Sequence, residues 1–220
     1  VRDPASQSIL KEYNIESEVI GDLALSVVRP IEFHKRPKRL HIGINVCGSR
    51  YGLDHNADAM LPIFADCISS LDEAGHDISL FSMHDADYCI AKKVVKLLHG
   101  RKKPVIWWKL SDIEGFMKMF SNLDLVIGQR LHSSIIATAY GIPFISIPYR
   151  PKCTNFVESV DMTFFSITPK DLSEKVVLEH VSNINKSYED ISMRLYDYTA
   201  NHQVKQQIYC ANILAELSVL

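Results

Sequence analysis

The stretch LDLVIGQRLHSSIIATAYGIPFISIPYRPK, residues 123–152, decides the fold. Its first apolar run, residues 123–127, is closed by Gly128 and followed by the polar Gln129-Arg130-Leu131-His132-Ser133-Ser134. Residues 135–140 read as a buried helix stopped by Gly141 and Pro143, and residues 144–147 form a second apolar run. The order is strand, loop, helix, strand, with the basic groups at strand-to-helix junctions. In an open parallel sheet, ligands bind at such junctions, outside the carboxyl ends of the strands.

The same alternation continues on both sides. Upstream, LHIGINV (residues 40–46) fits a central strand, Gly48-Ser49-Arg50-Tyr51-Gly52 makes a loop, and residues 56–73 carry Met60, Ile63, Phe64, Cys67, Ile68 and Leu71 at helical spacing, ended by Gly75. A strand over 78–81, a helix over 87–98 ended by Gly100, a strand over 105–108 and a helix over 113–120 capped by Ser111 or Asp112 lead into the opening stretch. Downstream, a short helix is expected over 155–160, a strand over 164–167, a helix starting at Thr168-Pro169, and a long terminal helix over 186–217. Strands alternating with helices through short connections predict a parallel sheet covered on both faces. The first residues read differently: a helix over 6–13 capped by Asp3 or Ser6, a strand-like scrap at Val19-Ile20, and a charged, proline-containing linker over 29–39.

A chain of 220 residues, 47% hydrophobic and 23% charged, is long enough for an α/β unit with a full core. A formal net charge of -2 points to neither a nucleic-acid partner nor a polybasic membrane anchor. No apolar run approaches the ~20 residues that span a bilayer. No signal peptide is visible, but Val1 is not a start methionine, so the chain reads as trimmed. Cys47, Cys67, Cys89, Cys153 and Cys210 are dispersed without CxxC spacing, which predicts free, mostly buried thiols, a reducing cytoplasmic compartment and no structural zinc. There is no GxGxxG fingerprint and no Walker A pattern, which argues against a dinucleotide or P-loop site.

Arg130 and His132 stand in front of a helix whose first unpaired N–H groups come near Ser133 and Ser134. Dipole, N–H groups and guanidinium all favour an anion there, phosphate or carboxylate. The next junction adds Tyr149, Arg150 and Lys152. Parallel neighbours lie ~4.8 Å apart, so adjacent strands would let both sets share one ligand. Asn45, Ser49, Arg50 and Tyr51 follow the first strand, and His84, Asp85 and Asp87 follow the second. A plainer reading competes at each place. Arg150 fits a solvated loop residue, Asp85 and Asp87 a helix cap and its neighbour, Trp107-Trp108 a half-buried edge, and His55, His76 and His99 plain polar positions.

Taken together, several motifs resemble the polysaccharide pyruvyl transferases: Gly128-Gln129-Arg130-Leu131-His132-Ser133, then Ala139-x-Gly141-x-Pro143, then Tyr149-x-x-Lys152, preceded by Arg2-Asp3-Pro4-x-Ser6 and Gly21-Asp22-x-Ala24-Leu25. The resemblance implies a Rossmann-like parallel sheet similar to the C-terminal domain of a GT-B-type transferase. It also implies transfer of the enolpyruvyl group of phosphoenolpyruvate onto two sugar hydroxyls, giving a pyruvate ketal and releasing phosphate. By motif, Arg130, Leu131, His132, Ser133, Arg2 and Lys152 would bind phosphoenolpyruvate, with His132 and Lys152 catalytic.

No cofactor or metal is expected beyond the donor substrate. The expected partners are a sugar or polysaccharide acceptor and an N-terminal half upstream. A lipid-linked acceptor would bring the protein to a membrane. The domains on this reading are residues 1–38, a central segment and linker; 39–185, the donor-binding unit; and 186–220, the terminal helix. A nucleotide-sugar glycosyltransferase of the same architecture, or a non-catalytic anion-binding module, are the alternative readings.

Overall fold

The computed structural model of the chain describes residues 1–27, 37–47, 57–99, 103–107 and 112–218. Residues 29–36 of the linker expected over 29–39, the loop residues Ser49, Arg50 and Tyr51, and His55, Asn56, Gly100, Trp108 and Ser111 lie outside the described residues.

Among the described residues, β1 (His41–Asn45), β2 (Asp77–Phe81), β3 (Val105–Trp107), β4 (Leu125–Gly128) and β5 (Phe144–Ser146) form one sheet in the order β3-β2-β1-β4-β5. Every pairing in it is parallel. The central strands are apolar because both of their faces are covered: Ile42, Ile44, Leu80, Leu125, Val126, Phe144 and Ile145 are all buried. Gly43 in β1 is a packing position, since a Cβ there would fall 2.4 Å from Leu123.

Right-handed crossovers fix which helix lies on which face. α2 (Ala57–Glu73) and α3 (Asp85–Leu97) carry the chain from β1 out to β3, pack on each other, and are joined by α7 (Glu174–Lys186), which packs on α2. α4 (Ile113–Phe120) brings the chain back, and α5 (Leu131–Ala139) links β4 to β5 on the opposite face. There Phe120 stacks with Tyr140 at 6.1 Å, and the Tyr140 hydroxyl donates to the Met117 carbonyl at 3.2 Å. α8 (Tyr188–Leu217) packs along α5.

The first 27 residues dock on this second layer. α1 (Pro4–Glu12) is capped by Asp3, whose carboxylate accepts from the Ser6 N–H at 2.8 Å, and it packs on α6 (Pro151–Ser159). A 3₁₀ turn at Leu23–Ser26 inserts the fully buried Leu25 between α5 and α8. Gln206 of α8 latches the segment: its amide nitrogen donates to the carbonyls of Ile20 at 2.8 Å and Asp22 at 3.0 Å, and its oxygen accepts from the Ser26 hydroxyl.

Several expectations are corrected downstream of β5. The strand expected over 164–167 is a 3₁₀ turn, Thr163–Phe165, followed by a single parallel bridge from Ser166 to Ser146. Phe165 N–H donates to Met162 and Ser166 N–H to Thr163, so local turns consume the donors a ladder needs. Thr168-Pro169 makes a turn closed by the Thr168 hydroxyl on the Asp171 carboxylate at 2.5 Å, and Ser173 caps α7 instead. The terminal helix starts after a break at Ser187, two residues later than expected. α6 begins at Pro151, not near residue 155, because proline at the first helical position already has the right φ and lacks only an N–H that needs no partner there. The cysteines are free, with Cys47, Cys67 and Cys153 buried and Cys89 and Cys210 exposed.

Candidate active site

The strand order reverses between β1 and β4, because the chain leaves β1 towards β2 and returns to β4 on its other side. Ligand crevices of open α/β sheets open at this switch point. The ends of the strands lie in register, Asn45 beside Gly128 and Gly128 beside Ser146. The residues just beyond them therefore face one another.

Asn45, fully buried, stitches the crevice together. Its side-chain oxygen accepts from the Arg130 N–H at 3.0 Å, its carbonyl accepts from Gln129 N–H at 3.3 Å, and its amide nitrogen donates to the Phe81 carbonyl at 3.1 Å. Gln129, 1% exposed, accepts from the Cys47 N–H at 2.6 Å. Arg130 thus enters α5 as its N-cap residue with its backbone held from β1.

Its side chain is held from the start of α3. Arg130 Nε donates to Asp87 Oδ2 at 3.1 Å and Nη2 to Asp87 Oδ1 at 2.5 Å. Asp87, in the first turn of α3, is completely buried and also accepts from Met83 N–H at 3.2 Å and Asn45 Nδ2 at 3.5 Å. Burial disfavours the charged guanidinium, but the hydrogen bonds and charge of Asp87 outweigh it and hold the Arg130 pKa above the ordinary arginine value.

The start of α5 shows why its sequence is so confined. Leu131 is buried and anchors the helix in the core. Ser133 is buried, and its hydroxyl donates to the Arg130 carbonyl at 2.5 Å, beside its own N–H at 3.0 Å. Gly128 has to be glycine, since a Cβ there would meet Ser133 Oγ at 2.0 Å. His132 projects into solvent from the second helical position, on the turn whose N–H groups lack intrahelical partners.

The adjacent junction places Tyr149 half-buried beside Arg130, with Arg150 as N-cap of α6 and Lys152 exposed in its first turn. Burial pushes the Tyr149 hydroxyl up, while Arg130, which also hydrogen-bonds its side chain, pulls it down. Cys47 is pushed up to about 12, mainly by burial, and it senses both Arg130 and Cys153. Cys153 is raised by burial, with Lys152 and Arg2 lowering it. Arg2 therefore reaches the neighbourhood of α6, where its Nε pairs with Asp3 at 3.2 Å and its Nη1 with Asp22 at 3.9 Å.

The structure gathers Arg130, Leu131, His132 and Ser133 on one helix start and sets Lys152 on the neighbouring one. His84 is drawn elsewhere, where its Nδ1 accepts from Ala86 N–H at 3.1 Å as the cap of α3. Asp87 proves to be more than a cap's neighbour. The pairing spans 43 residues of sequence, so no local pattern announces it.

Among the described residues, no group of three or more His, Cys, Asp or Glu side chains could hold a metal ion. None of the described helices is long and apolar enough to cross a membrane.

A family model for polysaccharide pyruvyl transferase matches residues 1–151. The chain belongs to that family. The amylovoran biosynthesis protein AmsJ of Erwinia amylovora is 20% identical over 162 residues, which cover 70% of this chain and 39% of that protein. This pyruvyl transferase family member thus spans about two fifths of the length of the curated relative it matches.

Its fold is shared more widely. A UDP-N-acetylglucosamine 2-epimerase candidate from Listeria monocytogenes superposes with a TM-score of 0.60 at 12% identity, over 89% of this chain and 52% of that one. The spinosyn rhamnosyltransferase SpnG, in complex with thymidine diphosphate, does so with a TM-score of 0.51 at 14% identity, over 82% and 48%. Each match takes in about half of the neighbour. The Rossmann-like sheet of the pyruvyl transferase chain is accordingly of the type found in one half of a GT-B architecture.

Proposed function

We propose that this chain is the donor-binding half of an enzyme that transfers the pyruvyl group of phosphoenolpyruvate to a sugar of a polysaccharide or its precursor. The observation that carries the reading is the placement of Arg130 and His132 on the first turn of α5, at the switch point, with Lys152 on the first turn of the adjacent α6. Phosphoenolpyruvate carries a carboxylate and a phosphate, and fixed cations beside helix N-termini match both.

In the proposed reaction His132 protonates the methylene carbon, which becomes the methyl group, and the neighbouring carbon becomes electrophilic. A first sugar hydroxyl adds there. A second then displaces phosphate and closes the ketal. Two hydroxyl protons are lost in all; one balances the proton on the methyl group and the other leaves with phosphate. Lys152 and Arg130 offset charge on the departing phosphate, and Arg2, held by Asp3 and Asp22, adds a cation from the docked N-terminal segment. The acceptor sugar is bound across the cleft by an N-terminal half.

Two measurements test this. Phosphoenolpyruvate should raise the melting temperature of the 220-residue chain, as any ligand of the native state does, while a uridine diphosphate sugar should not. In the complete natural protein, His132→Ala should lower turnover by roughly 10²–10⁴-fold with little change in melting, because the side chain is exposed. Near-normal turnover of that variant would remove His132 from the chemistry.

A further inference from the structure

We propose that Asp87 is a positioning residue for the donor site, aiming the guanidinium of Arg130 at the anion. This rests on the function proposed above and extends it to a residue that never touches the ligand. The carboxylate takes the Nε–Nη2 edge of the guanidinium in a two-point contact at 3.1 and 2.5 Å. A guanidinium has five N–H donors in a rigid plane, so fixing one edge turns the Nη1 end away from Asp87. Asp87 is itself locked, fully buried, by Met83 N–H and the Asn45 amide, while Asn45 also holds the Arg130 backbone. The arginine is thereby fixed at both ends before any ligand arrives, and little rotamer freedom remains to be lost on binding.

A purely electrostatic role predicts the opposite sign. A carboxylate next to an anion site repels the ligand, so removing its charge would tighten binding. A positioning role predicts that removal weakens binding, because the fork swings out of place.

The experiment is calorimetric titration of phosphoenolpyruvate into the 220-residue chain and its variants. Asp87→Asn, near-isosteric, should raise Kd at least tenfold. Arg130→Lys, which keeps the charge but cannot donate the two-point contact, should do the same. Asp87→Asn placed on top of Arg130→Lys should change Kd by less than twofold, since the group it acted through is gone. Unchanged or tighter binding by a folded Asp87→Asn overturns the proposal, as do effects of the two substitutions that multiply. Should Asp87→Asn fail to fold, the lysine variant decides, and parent-like affinity in Arg130→Lys overturns the proposal. Unchanged affinity in Arg130→Ala is a different failure, for it removes the donor-site reading itself and the role of Asp87 with it.

Discussion

Gly128 carries no side chain because Ser133 already occupies the space, and that single exclusion shapes the site. Replacing Gly128 by Ala would drive its Cβ to 2.0 Å from Ser133 Oγ and 2.9 Å from Ser133 Cβ. Overpacking of this kind typically costs about 1–3 kcal/mol, and chemical denaturation should show it. Adding Ser133→Ala should recover only part of the loss, because the methyl-to-methyl clash remains. Full recovery would mean that the hydroxyl alone set the limit. At this scale the sequence was readable wherever neighbours in the chain are neighbours in the site. Gly128, Arg130, His132 and Ser133 fall within one strand end and one helix turn, so a short motif displays them. Asn45 reaches Arg130 through strand pairing and Asp87 from the helix that follows β2, neither of which a linear reading can see.

Helix caps show how one local signal carries unequal weight. Asp112 accepts from Gly115 N–H at 2.8 Å at the exposed start of α4, its one side-chain hydrogen bond among the described residues. Asp3 is buried, accepts from both the N–H and the hydroxyl of Ser6, and pairs with Arg2. Asp112→Ala should therefore cost about 1 kcal/mol, and Asp3→Ala on the order of 2 kcal/mol. Equal losses in urea unfolding would mean that the Arg2 contact contributes nothing. The elements themselves were legible because apolar spacing and caps are local. The expected strand over 164–167 misled for the same reason: its aromatic and apolar residues fit a strand, but Phe164 points to solvent and the turn bonds of Phe165 and Ser166 win. Likewise Pro151 reads as a helix breaker until its place as the first helical residue is known.

For the molecule as a whole, acid should weaken the fold before it touches the carboxylates. Burial favours the neutral form of His76, His180 and His202 and holds each below the ordinary 6.5. His76 makes the reason visible, since its Nδ1 accepts from Leu40 N–H at 3.2 Å and can do so only unprotonated. The unfolded chain binds these protons more readily, so the contribution is complete above about pH 6.5 and is lost as pH falls through the depressed folded values. Melting temperature should fall as pH drops below about 6.5, and a flat profile there would contradict the assignment. The docked N-terminal segment gives a second whole-molecule test. Gln206→Ala strips the bonds to Ile20, Asp22 and Ser26 and should cost on the order of 2 kcal/mol, with faster amide exchange confined at first to residues 20–26.

That latch also sets an order of events during synthesis. The carbonyls of Ile20, Asp22 and Leu25 and the hydroxyl of Ser26 take their partners from Gln203 and Gln206, 178 to 186 positions further along the chain. Until α8 has left the ribosome, the turn that buries Leu25 has only α5 to close against, and the α8 side of Leu25 stays open to solvent. The sheet can be complete while this seam waits. The segment carrying Arg2 is thus made before the sheet it docks beside, yet is among the last of these 220 residues to find its place.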